Sequence, residues 1–160
     1  MSNLKLKQNS KSGFTLIELL VVISIIGVLV AVSIFGLSGA RESARDARRK
    51  ADIEMIKAGL EIYKADCGTY PTTLPAAGSS LVGTYPTSGA ASCAAANTYI
   101  SVIPDDPIAA TRDYKYQMQG GGIGYVLCSS LEQQGLSALT CGTLAASSCG
   151  TSCNYKVLNP

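Results

Sequence analysis

The sequence predicts an α+β protein, one long N-terminal helix packed on a small antiparallel sheet. Three observations point there. An apolar run carries no charge from Leu19 to Ala40, and an amphipathic stretch without proline continues it to Ala65. Short alternating segments separated by Gly- and Pro-rich turns fill the end of the 160-residue chain. Six Cys, at 67, 93, 128, 141, 149 and 153, all lie beyond the apolar run. An even count in a small, loop-rich region beyond a membrane-length segment points to an oxidising outer compartment and disulfides.

Residues 1–13 are polar and basic, with Lys5, Lys7 and Lys11 and no acid. From Phe14 to Ala40 the chain is apolar enough to span a bilayer, which takes ~20 residues. Lysines before such a run place the N-terminus in the cytoplasm and the C-terminal bulk outside. Glu18 is the one acid in the run. A carboxylate at the centre of a membrane helix costs on the order of 2.5–3.5 kcal/mol, and less near an end; a functional partner is the default explanation.

The helix is expected to continue through 41–66. Ile53, Ile56, Leu60 and Tyr63 recur on one helical face. Arg45, Asp46, Arg48, Arg49, Lys50, Asp52, Glu54, Lys57 and Glu61 lie before and between them and read as a solvated surface. Glu54 and Lys57, Glu61 and Lys64, and Asp46 and Lys50 stand at spacings that support a helix. Cys67-Gly68-Thr69-Tyr70-Pro71 ends it, because Gly suits the position after a helix and Pro forbids continuation.

From there to Ala96 the composition is that of a loop, and Pro104-Asp105-Asp106-Pro107 is a rigid turn. Strands are expected at Tyr114–Gln119 and Tyr125–Leu131, joined by Gly120-Gly121-Gly122-Ile123-Gly124, with a third at Cys153–Val157. The region beyond the helix has no Trp or Phe, so its core looks weak and in need of staples. Six Cys allow fifteen pairings, and sequence does not select one. The pairing favoured here joins Cys141 to Cys149, Cys128 to Cys153 across the sheet, and Cys67 to Cys93.

The formal charge is +2, and from Phe14 onward ten basic and eleven acidic side chains nearly cancel. That balance gives no basic face for nucleic acid. The chain has no His, so no nucleophile–base–orienter set can be assembled and no enzyme is expected. No metal or other cofactor is expected either. Cys149-x-x-x-Cys153 lacks a second close pair for zinc; Asp105 and Asp106 are loop acids suited to a cation such as calcium, but after Asp113 the only acid is Glu132. Leu37-Ser38-Gly39-Ala40 resembles a signal-peptide cleavage site, but the apolar run is longer than the usual 7–15 residues.

The segment Lys11-Ser12-Gly13-Phe14-Thr15-Leu16-Ile17-Glu18-Leu19-Leu20-Val21-Val22 resembles the N-terminal signature of type IV prepilins and of the related pseudopilins of type II secretion. Tyr63-Lys64-Ala65-Asp66-Cys67-Gly68-Thr69-Tyr70-Pro71 looks like the helix exit of major pseudopilins and short pilins. Pro104–Pro107 with Tyr114-Lys115-Tyr116 and Tyr125-Val126-Leu127 looks like their first sheet strands.

The resemblance implies a type IV pilin-like fold. Residues 1–13 would be a leader, 14–40 the membrane and assembly half of the helix, 41–66 its amphipathic half, and 67–160 a small sheet-bearing head. A prepilin peptidase would cut between Gly13 and Phe14 and methylate the new amine of Phe14. The mature chain would rest in the cytoplasmic membrane until an assembly ATPase and a platform protein drew it into a homopolymer. The Phe14 amine would then pair with Glu18 of a neighbour, or of its own chain, and so fix axial register. Many type IV pilins bend at a proline where this chain has Phe35.

The function expected on this basis is a subunit of an extracellular type IV pilus filament serving adhesion, twitching motility or DNA uptake. The alternative is the major pseudopilin of a type II secretion system. A second alternative is a membrane-anchored outer domain that never polymerises.

Overall fold

The computed structural model describes residues 13–84, 93–134 and 138–159, apart from the side chain of Phe35. Lys5, Lys7 and Lys11 therefore lie outside the described residues. The chain divides into two compact units, Met1–Ala40 and Arg41–Pro160.

Helix α1 runs Leu16–Cys67. It is long and apolar enough to cross a membrane by length and composition. Thr15 precedes it, and its hydroxyl accepts the N–H of Glu18 at 3.3 Å. At the other end Gly68 takes a φ of +79° and donates its N–H to Lys64 at 2.8 Å. A left-handed residue after the last turn suits glycine, which has no Cβ penalty there.

In the second unit, two antiparallel sheets meet the helix. Strands β1 (Leu81–Val82) and β2 (Thr98–Ile100) form a ribbon with Leu81 opposite Ile100. Strands β3 (Lys115–Gln119), β4 (Gly124–Ser129) and β5 (Tyr155–Leu158) form a sheet in the order β3-β4-β5. The glycine run makes the β3–β4 hairpin, with positive φ at Gly120, Gly121 and Gly122. Strand β1 falls where a loop is expected, and β2 begins just past it. The ribbon's strands are two and three residues long and sit among Ala, Gly, Ser and Thr, so no alternation announces them.

The helix contributes Ile53, Ile56, Leu60 and Tyr63, all at most 3% exposed. They pack with Tyr70, Leu81, Ile100, Ile103, Tyr125 and Leu127. Burying each such side chain is worth about 1.5–3 kcal/mol, which outweighs the ~1 kcal/mol that Gly59 costs inside a helix. Gly59 has a packing reason as well. A Cβ there would lie 2.2 Å from Cγ1 of Ile100, so only glycine lets β2 approach this closely.

Strand β4 is the centre of the head. Tyr125 and Leu127 join the helix-facing core, whereas Val126 and Cys128 join a second cluster with Cys141, Cys149 and Cys153. A central strand covered on both faces reads as a continuous apolar run, as Tyr125-Val126-Leu127 does.

The core is not weak in aromatic content. Tyr70 and Tyr125 meet edge to face at 4.7 Å, and so do Tyr63 and Tyr99 at 5.1 Å. Tyrosine supplies what Trp and Phe do not, provided that each hydroxyl finds a partner. The hydroxyl of Tyr116 donates to Pro71 O at 2.6 Å, and that of Tyr114 to Asp52 at 2.8 Å. Glu61 accepts from Tyr70 at 2.8 Å and from Tyr125 at 3.3 Å. Burial, reinforced by Glu61, pushes the Tyr70 hydroxyl up to about 12. Glu61 thus serves the core rather than the expected surface pair with Lys64.

Candidate functional site

Two places carry the chain's unusual charges, one in each unit. In the first, Thr15 and Glu18 form a reciprocal cap at the start of α1. The N–H and the hydroxyl of Thr15 donate to Glu18 Oε2 at 2.9 and 2.8 Å. This is the capping-box arrangement, Thr at the cap and Glu three residues on. It satisfies backbone donors that the first turn leaves free and places the negative charge at the positive end of the helix dipole.

Gly13 and Phe14 precede the cap and are exposed, Phe14 at 92%. Leu16, Ile17, Leu19, Leu20 and the apolar residues on to Leu37, Phe35 aside, are exposed all round the helix within this unit. Such a surface is stable only in lipid or against other apolar helices. The sequence singles out Glu18, but its partner in this structure is Thr15.

In the second unit Arg49 is fully buried. Its Nη1 donates to Asp46 and to Glu132, both at 2.7 Å. Its Nε and Nη2 donate to the two carboxylate oxygens of Asp106 at 2.7 and 2.9 Å. Arg45 makes a second pair of hydrogen bonds to Glu132, through Nε at 2.8 Å and through Nη2. Asp46 in turn accepts the backbone N–H groups of Glu132 and Gln133, both at 2.9 Å at closest.

The expected solvated face is therefore corrected at its centre, where Asp46 and Arg49 face inward. Asp46 pairs with Arg49 instead of Lys50. The reason is the guanidinium's planar fork, which can hold several carboxylates at once. The stripe of Ile53, Ile56, Leu60 and Tyr63, extended backward in steps of 4 and 3, reaches Arg49 and Asp46, so their face is readable locally; their partners are not, since Asp106 and Glu132 lie 57 and 83 residues from Arg49.

Hydrogen bonds from Arg45 hold the Glu132 carboxyl at about 2, against the cost of burial and with help from Arg49. Burial favours protonation of Asp46, but the N–H groups of Gln133 and Glu132 together with Arg49 outweigh it and hold its carboxyl below the usual range. The same network raises the Arg49 guanidinium despite its burial. Asp106, one of the two acids that favoured calcium, is committed to Arg49 and to the N–H of Ile108 at 2.8 Å. Among the described residues no group of three or more acids, Cys or His is placed to hold a metal ion.

The six cysteines form three disulfides, Cys67–Cys93, Cys128–Cys141 and Cys149–Cys153. Two of these differ from the favoured pairing, which joined Cys141 to Cys149 and Cys128 to Cys153. The turns of the C-terminal segment explain the difference. Cys141 begins a tight turn whose Leu144 N–H returns to it at 3.0 Å, while its sulfur lies 3.7 Å from the carbonyl of Lys115, the residue opposite Cys128 in the sheet. The segment then turns back on itself, as Cys153 N–H donates to Ala146 at 2.7 Å, and Cys149 meets Cys153.

Comparison with known proteins covers both units. Residues 8–38 match the family model of the prokaryotic N-terminal methylation motif, and residues 37–135 match that of type II secretion system protein G. The type II secretion system core protein G of Vibrio cholerae is 33% identical over 114 residues, 71% of this chain and 75% of the relative. Core protein G of Aeromonas hydrophila is 38% identical over 68 residues, 42% of this chain and 48% of the relative. That of Escherichia coli is 42% identical over 65 residues, 41% of this chain and 45% of the relative. The chain thus spans three quarters of the first relative and about half the length of the other two. No solved structure matches it.

These relatives overturn the expectation of a subunit of a type IV pilus. Their names are those of the secretion alternative, and the matched region extends well beyond the N-terminal motif. The helix exit from Tyr63 to Pro71 looks like that of major pseudopilins and of short pilins alike, so it does not separate the two. The cysteines do not either, since they report on compartment and stapling rather than on what is assembled.

Proposed function

The chain belongs to the type II secretion system protein G family, and from that membership we propose that it is a major pseudopilin, the repeating structural subunit of a secretion machine. The observation that carries this reading is the family match over residues 37–135, which reaches across the head and not only the membrane helix. The role is structural and needs neither a cofactor nor catalysis by the chain itself.

On this reading a prepilin peptidase cuts after Gly13 and methylates the amine of Phe14. The apolar half of α1 then holds the subunit in the cytoplasmic membrane, with the head outside the cytoplasm. An ATPase and a platform protein add subunits to a short periplasmic polymer rather than to a surface fibre. The Phe14 amine, once inside a bundle of apolar helices, needs an anion. Glu18 is the acid within reach, and a buried pair is tolerable where either charge alone is not.

Deleting the gene in its own host tests the proposal. Loss of secreted proteins from the medium, with surface fibres unchanged, is the expected result. Loss of surface fibres with secretion intact would overturn it. Intact-mass analysis of the membrane-extracted subunit should give a chain beginning at a methylated Phe14, and a chain still beginning at Met1 would refute the processing step.

A further inference from the structure

The three disulfides follow a single rule: each cysteine is joined to its neighbour in the chain. Cys67 pairs with Cys93, Cys128 with Cys141, and Cys149 with Cys153, and no loop encloses or crosses another. Of the fifteen ways to pair six cysteines, this is the only one with that property. The second observation concerns burial. Cys128, Cys141, Cys149 and Cys153 are fully buried together against Val126, with Leu144 beside them. Four thiols brought into one apolar cluster by folding could pair in three ways. They would also be poor nucleophiles, because apolar burial disfavours the thiolate.

We propose that the head's thiols are oxidised in chain order, as they emerge from the membrane, by a Cys-x-x-Cys dithiol–disulfide oxidase, and that no disulfide isomerase is needed. The proposal rests on the outward placement of the head argued above. In each closure one chain thiolate attacks the oxidase disulfide, forming a mixed disulfide and releasing an oxidase thiolate. The partner thiolate of the chain then attacks the chain sulfur of that mixed disulfide. The native bond forms and the mixed bond breaks. Two electrons pass to the oxidase, which leaves as the dithiol, and the two protons lost by the chain thiols balance those it gains.

Chain order decides the outcome at each step. Cys93 emerges before Cys128 exists as a competitor, and Cys141 before Cys149. Each bond is therefore made while its sulfurs are still exposed. Folding follows and closes the cluster over bonds already correct.

The test expresses the full chain in a bacterial host lacking its periplasmic disulfide isomerase. Free thiols are alkylated in the cells, and disulfides are mapped by non-reducing mass spectrometry of the denatured protein. The native three pairs should appear in the same share as in the parent host, and their loss to other pairings would overturn the proposal. Deleting the oxidase instead should leave alkylated thiols, and unchanged pairing there would also overturn it.

Cys141→Ser separates chain order from direction by the fold. Oxidation in chain order joins Cys128 to the next cysteine to emerge, Cys149, and leaves Cys153 alkylated. A fold-directed process keeps Cys149–Cys153 and leaves Cys128 alkylated. That result, or any pair other than Cys67–Cys93 and Cys128–Cys149, overturns the proposal, and the mapping does not require the variant to fold. Six alkylated cysteines in the parent host would sink the outward placement itself, whereas scrambled pairs would leave that placement standing.

Discussion

Arg49 and Asp106 meet through two hydrogen bonds, 2.7 and 2.9 Å long, with both side chains wholly out of solvent. The pair ties the middle of the helix to the turn that precedes β3. Through Asp46 and Glu132 the same guanidinium also holds the segment that follows β4. Two guanidiniums and three carboxylates share this network, and its members satisfy one another. The asymmetry of such clusters is well understood: breaking one partner costs far more than the intact set contributes.

Arg49→Met should therefore be severe. It leaves Asp46 and Asp106 buried without their cation, at a cost of about 3–5 kcal/mol. Denaturant unfolding of the detergent-solubilised chain, followed by tyrosine near-ultraviolet circular dichroism, measures it. Arg49→Lys keeps the charge but loses the fork, so its midpoint should fall between the two. An Arg49→Met midpoint equal to that of the parent would show that the network contributes nothing.

Acid should loosen the head through the same residues. The folded-state pKa of Glu132 is depressed to about 2, and that of Asp46 is also lowered. A depressed carboxyl contributes stability that is fully present above its unfolded value and lost as pH falls through the folded one. Unfolding free energy should thus decline from near pH 5 toward pH 2. In Glu132→Gln that slope should be shallower, and an identical slope would remove Glu132 from the explanation.

The disulfides should differ in what they contribute. Cys67–Cys93 closes a separation of 26 residues, Cys128–Cys141 one of 13, and Cys149–Cys153 one of 4. Loop-closure entropy ranks them at about 3.5, 3 and 2 kcal/mol. Pairwise replacement by serine, followed by equilibrium unfolding, checks the order. A larger loss from the Cys149–Cys153 pair than from Cys67–Cys93 would show that chain entropy does not govern this head.

Glu18→Ala should insert in the membrane and be processed at Gly13, yet assemble poorly. An unpaired buried ammonium costs several kcal/mol, so polymer yield should drop by at least about tenfold. Quantifying the sheared or crosslinked polymer against the membrane pool measures the effect. Parent-level polymer from Glu18→Ala would end the register argument.

How much of this was legible follows the range of each interaction. Helix α1 was readable because its signals are local: the steps from Ile53 to Tyr63, then Gly68 and Pro71. The β3–β4 hairpin was readable from the glycine run, and β4 from its continuous apolar stretch. The ribbon of β1 and β2 was not, because five residues of strand leave no pattern. Arg49 stands four residues before Ile53, on the same stripe, yet a helical arginine reads as solvated until its distant carboxylates are placed. The cysteines announced themselves, but their pairing depends on turns near Cys141 and Cys149 that composition does not encode. At the N-terminus the sequence pointed to Glu18 and left open whose amine it meets; its hydrogen bonds to Thr15 are visible only in the structure.

Those bonds change how recruitment into a polymer should be pictured. The Glu18 carboxylate is already ligated by the N–H and hydroxyl of Thr15. Both bonds end on Oε2, which leaves Oε1 for another donor, since a carboxylate has about four acceptor sites. On the proposed pairing, an arriving ammonium would therefore bind without breaking the cap. It would meet a carboxylate already held in place, so recruitment would cost less ordering of that side chain.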